Sequence, residues 1–354
     1  MKFIIGIVVV FLSFQPIFGQ HVLFGERNRA LHNNNLFFDK EGFLYPEIFI
    51  SDASLVAANN SLRLWYQSNT LVTDSLLNHF GIHHNSSSID NQVVIQLNDS
   101  IVSEKARFYS RNTNALTFVI HGFRKNFKET GIDVSSVTEF QLFNEEIERY
   151  YSEFESISVY WDGLYDCCFS LNSKKNKQLF RLFEDASLQA SNVGQQLHRL
   201  IAKTTVNNIT LIGHSLGAKV AIQLHTANSS NKTIQICLIA PALSADAIKE
   251  LFEKLPQTAD IRWMIVYNEA DFVLKKKDNK MGLFGPGPKK YGQTGLGCNY
   301  RNELFNLSAT IRKYYPLVSF ELVNKTSIGK CHSLRCYTRD ENLKEVSRFI
   351  AGID

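Results

Sequence analysis

Ser215, Asp271 and His332 are the residues around which chemistry could be built in this chain of 354 residues. Ser215 stands at the centre of Gly213-His214-Ser215-Leu216-Gly217, after the apolar run 209–212 and before an apolar stretch, 216–224, of different period. G-x-S-x-G has physical meaning where a strand enters a helix through a turn so tight that only glycine fits beside the serine. The hydroxyl is then pushed out above the end of the strand as a nucleophile. The plainer alternative is an ordinary strand-to-helix loop with Ser215 as the helix cap. Strand, turn and helix in sequence favour the nucleophile.

An unassisted serine hydroxyl is a poor nucleophile at neutral pH, so it needs a histidine to take its proton and a carboxylate to orient that histidine. The expected chain order is serine, acid, histidine. Two histidines follow Ser215, His225 and His332. His225 falls within the helix that follows the serine, too rigidly placed to turn back to it, so His332 takes the role. It lies in IGKCHSLRC, between the last strand candidate and the final helix. Asp271, at the exit of WMIVYNEAD, is the expected acid, with Glu269 as its close rival. Asp246 reads better as a helix-start residue in ALSADAIKELF.

The oxyanion of an acyl-transfer intermediate needs donors placed in advance. The backbone N–H of Leu216 is one candidate. The other is the backbone N–H of Phe123, in the turn that His121-Gly122 makes after ALTFVIHGF. The His121 side chain reads as a hydrogen-bonding partner of the neighbouring loop. Trp161, Asp162 and Tyr165 either line a pocket or fill core and loop positions.

These residues must be placed by elements that bring distant segments to one edge. From about residue 116 onward, short β-rich apolar runs alternate with helical stretches, the pattern of a parallel sheet covered on both faces. The predicted strands are ALTFVIHGF, SISVYWDG, NITLIGHS, IQICLIAPAL, IRWMIVYNEAD and LVSFELVNK. Val193, Leu197, Leu200 and Ile201 form one helical face, and segments 246–255 and 340–350 carry similar stripes. Upstream, ISDASLVAANNSLRLWYQSN reads as a helix with a Ser or Asp cap, and QVVIQLND as an isolated strand. The upstream region is expected to pack on the main domain and to contribute an early strand.

The residues that carry a family resemblance are HGF at 121–123, GHSLGA at 213–218, NEAD at 268–271 and CHS at 331–333. With them, the segment 115–352 resembles the α/β-hydrolase superfamily, and within it an uncharacterised bacterial branch with similar VIHGF and VYWDG strands. The resemblance implies an α/β-hydrolase fold with a mostly parallel sheet of about eight strands. It also implies ester or related acyl hydrolysis without a cofactor or metal. The expected organisation is a signal peptide at 1–19, an N-terminal extension at 20–110 and the hydrolase domain at 111–354.

The signal reading comes from MKFIIGIVVVFLSFQPIFGQ, one charge and a short apolar core before a polar start, and it predicts export; an uncleaved anchor is the alternative. The formal net charge of +4 is too mild to imply nucleic acid as a partner. Six cysteines in a chain this long are no disulfide scaffold. Cys331 and Cys336 could close a small loop around His332 or join it as metal ligands, and the loop is the stronger reading because no second ligand pair follows. The Lys-, Gly- and Pro-rich segment 275–297 is either a lid or a solvated loop. Two functions therefore stand: a serine hydrolase or acyltransferase acting on small-molecule or lipid esters, and a fold without turnover that contacts a membrane or other anionic surface through that segment.

Overall fold

A computed structural model describes residues 35–46, 61–84, 88–125, 136–152, 154–161, 164–165, 173–223, 232–254, 261–274, 295–339 and 341–352. In chain order the strands are β1 (Asn35–Phe37), β2 (Ala115–Ile120), β3 (Arg124–Lys125), β4 (Ile157–Tyr160), β5 (Leu164–Tyr165), β6 (Asn208–His214), β7 (Thr233–Ile239), β8 (Arg262–Tyr267) and β9 (Ser319–Asn324). Seven of them form one parallel sheet in the order β1-β4-β2-β6-β7-β8-β9, and β3 pairs with β5 separately. All six predicted strands are present in that sheet. The sequence expectation of about eight strands is met by seven among the described residues.

The helices are α1 (Leu62–Ser68), α2 (Thr70–His79), α3 (Asn91–Asn112), α4 (Ser136–Glu148), α5 (Ser173–Lys203), α6 (Gly217–Gln223), α7 (Ala245–Glu253), α8 (Glu303–Tyr314), α9 (Leu334–Tyr337) and α10 (Lys344–Ile350). A parallel strand covered on both faces has no solvent side, so its sequence is a continuous apolar run rather than an alternation. β4 is buried at every position, and β6 at every position after its first. The stripe Val193, Leu197, Leu200 and Ile201 is buried on α5, as its period predicts. Asp246 stands in the first turn of α7, where Ser244 is the cap and accepts from the Ala247 N–H.

Sheet order decides where a site can form. From β2 the chain moves outward to β4, whereas from β6 it moves the opposite way to β7. The loops leaving β2 and β6 therefore part from each other at the carboxyl edge and leave a crevice between them. Ile120 is in register with Gly213, so His121-Gly122 and His214-Ser215 face each other across that crevice.

The upstream region joins the sheet through β1, which pairs with β4. One sequence reading is corrected: QVVIQLND is the start of α3, not a strand. Asp90 caps that helix by accepting from the Val93 N–H. The buried residues Val94, Leu97, Ile101 and Val102 then recur at helical spacing, with Ile95 turned outward. Eight residues rich in valine and isoleucine were too short a window to show that period. The polar Asn98 on the buried face is satisfied by accepting from the Leu44 N–H at 2.9 Å. The helix read in 50–69 begins, within the described residues, at α1 with Ser61 as its cap. The predicted signal segment, most of the lysine-rich segment, His225, Asp162 and the pair Cys167-Cys168 lie outside the described residues. Among the described residues no helix is long and apolar enough to cross a membrane.

The link between β1 and α1 is a buried carboxylate. Asp39 is fully buried, and its two oxygens accept from the backbone N–H groups of Glu41, Phe43 and Leu62, each at 2.8 Å. Burial pushes its pKa up to about 7, against the pull of those three donors. The folded chain then holds this proton more tightly than the unfolded chain, so stability falls as pH rises from about 4 to about 7. Asp39→Asn cannot ionise and leaves one N–H facing an amide donor, a loss of about 1–3 kcal/mol. Urea unfolding should find this variant clearly weaker than wild type at pH 4.5, with the gap narrowing at pH 7.5. An unchanged gap would show that Asp39 does not titrate in this range.

Candidate active site

The serine is displayed by backbone geometry. Ser215 has φ 52°, in the left-handed region that costs a residue with a side chain roughly 1–2 kcal/mol. Neighbouring segments hold it there: its N–H donates to Ile239 O at 3.0 Å, and its carbonyl accepts from Ala218 and Ala242 N–H at 3.2 and 3.0 Å. Two glycines allow the close approach this requires. A Cβ on Gly217 would stand 2.4 Å from Ile120 O, and one on Gly122 would stand 2.5 Å from the Ser215 Cβ. β2 and the elbow are therefore in direct backbone contact.

Three segments converge on the hydroxyl. His332 Nε2 lies 2.8 Å from Ser215 Oγ, and His332 Nδ1 lies 2.6 Å from Asp271 Oδ2. Asp271 is fully buried, and its other oxygen accepts from the N–H groups of Val273 and Leu274 at 2.8 and 3.1 Å. A carboxylate so supplied with donors takes the proton-bearing Nδ1 as its third. That choice of tautomer leaves the Nε2 lone pair facing the serine hydroxyl, which donates to it. Burial and the Asp271 charge also push the Tyr337 phenol well above its usual pKa, so this tyrosine stays neutral.

The rival acids stand elsewhere. Glu269 Oε1 accepts from Asn299 Nδ2 at 2.9 Å, and Asp246 faces Lys249 on exposed helix surface at 3.4 Å. The loop from β2 is fixed by His121, whose Nδ1–H donates to Gly122 O at 2.7 Å while Nε2 accepts from Trp161 N–H at 3.1 Å. The chain has no cis peptide among the described residues, so the Phe123 N–H points opposite to the Gly122 carbonyl and away from the imidazole. Leu216 N lies 3.1 Å from the Cβ position of Gly122. The Leu216 N–H thus lies against the Gly122 turn that leads into Phe123. Trp161 is fully buried, its Nε1–H donating to His121 O at 2.8 Å, which makes it core that braces this loop.

Serine, acid and histidine follow β6, β8 and β9 in that order, with the elbow between strand and helix and the second loop after β2. The chain has the α/β-hydrolase fold. No family model matches the sequence, and no curated protein matches it. Among solved structures it is similar to a lipase-esterase related protein from Clostridium acetobutylicum, at 11% identity over 69% of this chain and 96% of that one, TM-score 0.30. An esterase from Pyrococcus furiosus aligns at 10% identity over 69% and 83% of the two chains, TM-score 0.37. A dienelactone hydrolase from Anabaena variabilis aligns at 7% over 68% and 85%, TM-score 0.33. The α/β-hydrolase assignment stands on the strand order and elbow of this chain, not on those overlaps.

In this α/β-hydrolase sheet the histidine loop is tied down by residues to which the sequence assigned no such task. The buried Asn268 donates through Nδ2 to Gly329 O at 2.8 Å and Cys331 O at 3.0 Å. Ser333 Oγ donates to the buried Glu139 of α4. His214 Nε2 donates to His332 O at 2.8 Å. Asn268 and His214 lie inside the motifs that drew attention to Asp271 and Ser215, so their positions were marked though their partners were not. Glu139 carries no such mark. Cys331 and Cys336 are bonded to each other, which removes both sulfurs as ligands for a metal at His332.

Two outcomes follow from this packing. Gly122→Ala should lower stability by about 2–3 kcal/mol, because the added methyl meets backbone-anchored atoms of the elbow that cannot swing aside; urea titration checks it, and a wild-type midpoint would show the elbow is softer than its contacts imply. Cutting the bridge with the double variant Cys331→Ser, Cys336→Ser should remove roughly 2 kcal/mol of loop-closure entropy. Trypsin should then cut faster at Lys330 and Arg335, and cleavage at the wild-type rate would show that the hydrogen bonds alone hold the loop.

Proposed function

We propose that this protein is an exported serine hydrolase that cleaves carboxylic esters through an acyl-enzyme on Ser215. The observation that carries the reading is the continuous chain Ser215 Oγ to His332 Nε2 to Nδ1 to Asp271 Oδ2, at 2.8 and 2.6 Å. Such an arrangement costs a buried carboxylate and a strained backbone, which a merely structural serine would not require.

In this mechanism Ser215 Oγ attacks the ester carbonyl carbon as His332 Nε2 takes the hydroxyl proton. Asp271 keeps Nδ1 protonated and stabilises the imidazolium that forms. The Leu216 and Phe123 N–H groups meet the negative oxygen of the tetrahedral intermediate. Collapse breaks the bond to the leaving alcohol, which receives the proton from His332. Water then gives a proton to His332, attacks the acyl carbon and releases the acid, and the proton returns to Ser215. No cofactor enters any step. An acceptor alcohol in place of water would make the same residues an acyltransferase.

Export is supported by the apolar leader and by the Cys331–Cys336 bridge, since such bonds persist in oxidising compartments. A binding module that has lost turnover is the weaker reading, because loss of function would leave no selection for the three-residue hydrogen-bonded chain.

A fluorophosphonate probe should label wild-type protein at Ser215 and fail to label Ser215→Ala. Against p-nitrophenyl esters of graded acyl length, Ser215→Ala and His332→Ala should each lose at least about 1,000-fold in kcat, and Asp271→Asn a comparable factor by favouring the wrong tautomer. Folded wild-type protein that neither labels nor turns over any of these esters would remove the hydrolase reading.

A further inference from the structure

One histidine beside the site takes no part in the proton transfers. His214 immediately precedes the nucleophile, is buried, and places Nε2 2.8 Å from the backbone oxygen of His332. A carbonyl oxygen only accepts, so this Nε2 carries a proton and donates. The two imidazole centroids are 5.3 Å apart and inclined at 39°. Ser215 Oγ meanwhile meets the side chain of the same His332. Adjacent residues of the elbow therefore hold one residue of the distant loop at two points, main chain and side chain.

The other ties on that loop fix it relative to different elements. Asn268 and Asp271 follow β8, and Glu139 belongs to α4. The His214 bond ties the loop to β6, the strand that delivers the nucleophile. The bond between Oγ and Nε2 cannot serve as the tether, because it changes partners whenever the proton moves. The bond to the main chain takes no part in those transfers.

We propose that His214 is a positioning residue that sets the separation of nucleophile and base by tethering the His332 main chain to the elbow. Its consequence for turnover rests on the acyl-enzyme reading above; the tether itself does not. Misplacement of reacting groups by about 1 Å is enough to cost on the order of 100-fold in rate.

The test compares His214→Phe, which keeps a ring and loses the donor, with His214→Gln, whose amide nitrogen can reach the same oxygen. His214→Phe should lower kcat on p-nitrophenyl butyrate and the rate of fluorophosphonate labelling by about 10- to 100-fold, with KM within about twofold of wild type. His214→Gln should recover to within about fivefold of wild type. Amide hydrogen exchange across residues 329–336 should quicken by about 10-fold in His214→Phe and stay near wild type in His214→Gln. Equal impairment of both variants would assign the effect to ring packing and overturn the tether, as would wild-type exchange and turnover in His214→Phe. Should wild-type protein show neither labelling nor turnover, the hydrolase reading falls, and the exchange comparison alone decides the tether.

Discussion

The close approach of Gly122 to the elbow at 214–216 is the constraint on which the site depends. β2 and β6 lie side by side in register, and their outgoing loops must part in opposite directions. They can do so only if the turns beyond the strands pass with almost no side-chain volume where they touch. Glycine at 122 and 217 removes that volume. What remains is a turn in which Ser215 takes a left-handed conformation that would relax if the chain were free. Bonds to residues 218, 239 and 242 prevent the relaxation, so the strain is set against the sheet rather than against a loop.

Rigidity at the serine would achieve little if the histidine were loosely held. His332 reaches the elbow from a loop after the last strand, 117 residues on. Loops with so many exposed backbone groups open readily unless they are tied. Here the ties fall at residues 329, 331, 332 and 333, and a disulfide closes 331 to 336. Asp271 completes the arrangement from the strand between them. Its carboxylate is held by two backbone N–H groups of its own turn, so the oxygen facing His332 has a fixed direction before any substrate arrives. The site is preorganised from three strand ends, each braced by a different part of the sheet.

How much of this was legible depends on whether the signal was local. The six main strands were readable because burial on both faces forces continuous apolar runs, and the elbow because its glycines answer a short-range steric need. Asp271 could be favoured over Glu269 from its place at the strand exit. QVVIQLND misled because its helical period shows only over the 22 residues of α3. The ties on the histidine loop were not legible at all. His214 and His332 are 118 residues apart, and Ser333 and Glu139 are 194 apart. Such pairs are created by topology, and no spacing in the chain announces them. Buried acids make the same point: Asp39 and Asp271 both accept backbone N–H bonds in the interior, yet only the second has an imidazole opposite it.

With nucleophile, base and acid fixed, discrimination among substrates passes to whatever walls the crevice. α5 is central to that. Its 31 residues span about 46 Å, twice the roughly 23 Å of the seven-residue strand β6 that follows it. Its carboxyl end lies at the start of β6, so the excess must project past the opposite edge, where Ser215 is displayed. Ser187 of α5 meets Lys219 beside the elbow at 2.8 Å, and one turn earlier Phe183 packs edge-on against Phe123 with centroids 5.5 Å apart. The residue whose main-chain N–H is a candidate oxyanion donor thus presents its side chain to α5. That aromatic pair puts apolar surface beside the turn that follows β2. Under the acyl-enzyme reading, the group that lies along it gains more from added carbon than from added charge, since each methylene it buries contributes about 0.8 kcal/mol and a buried charge contributes a penalty.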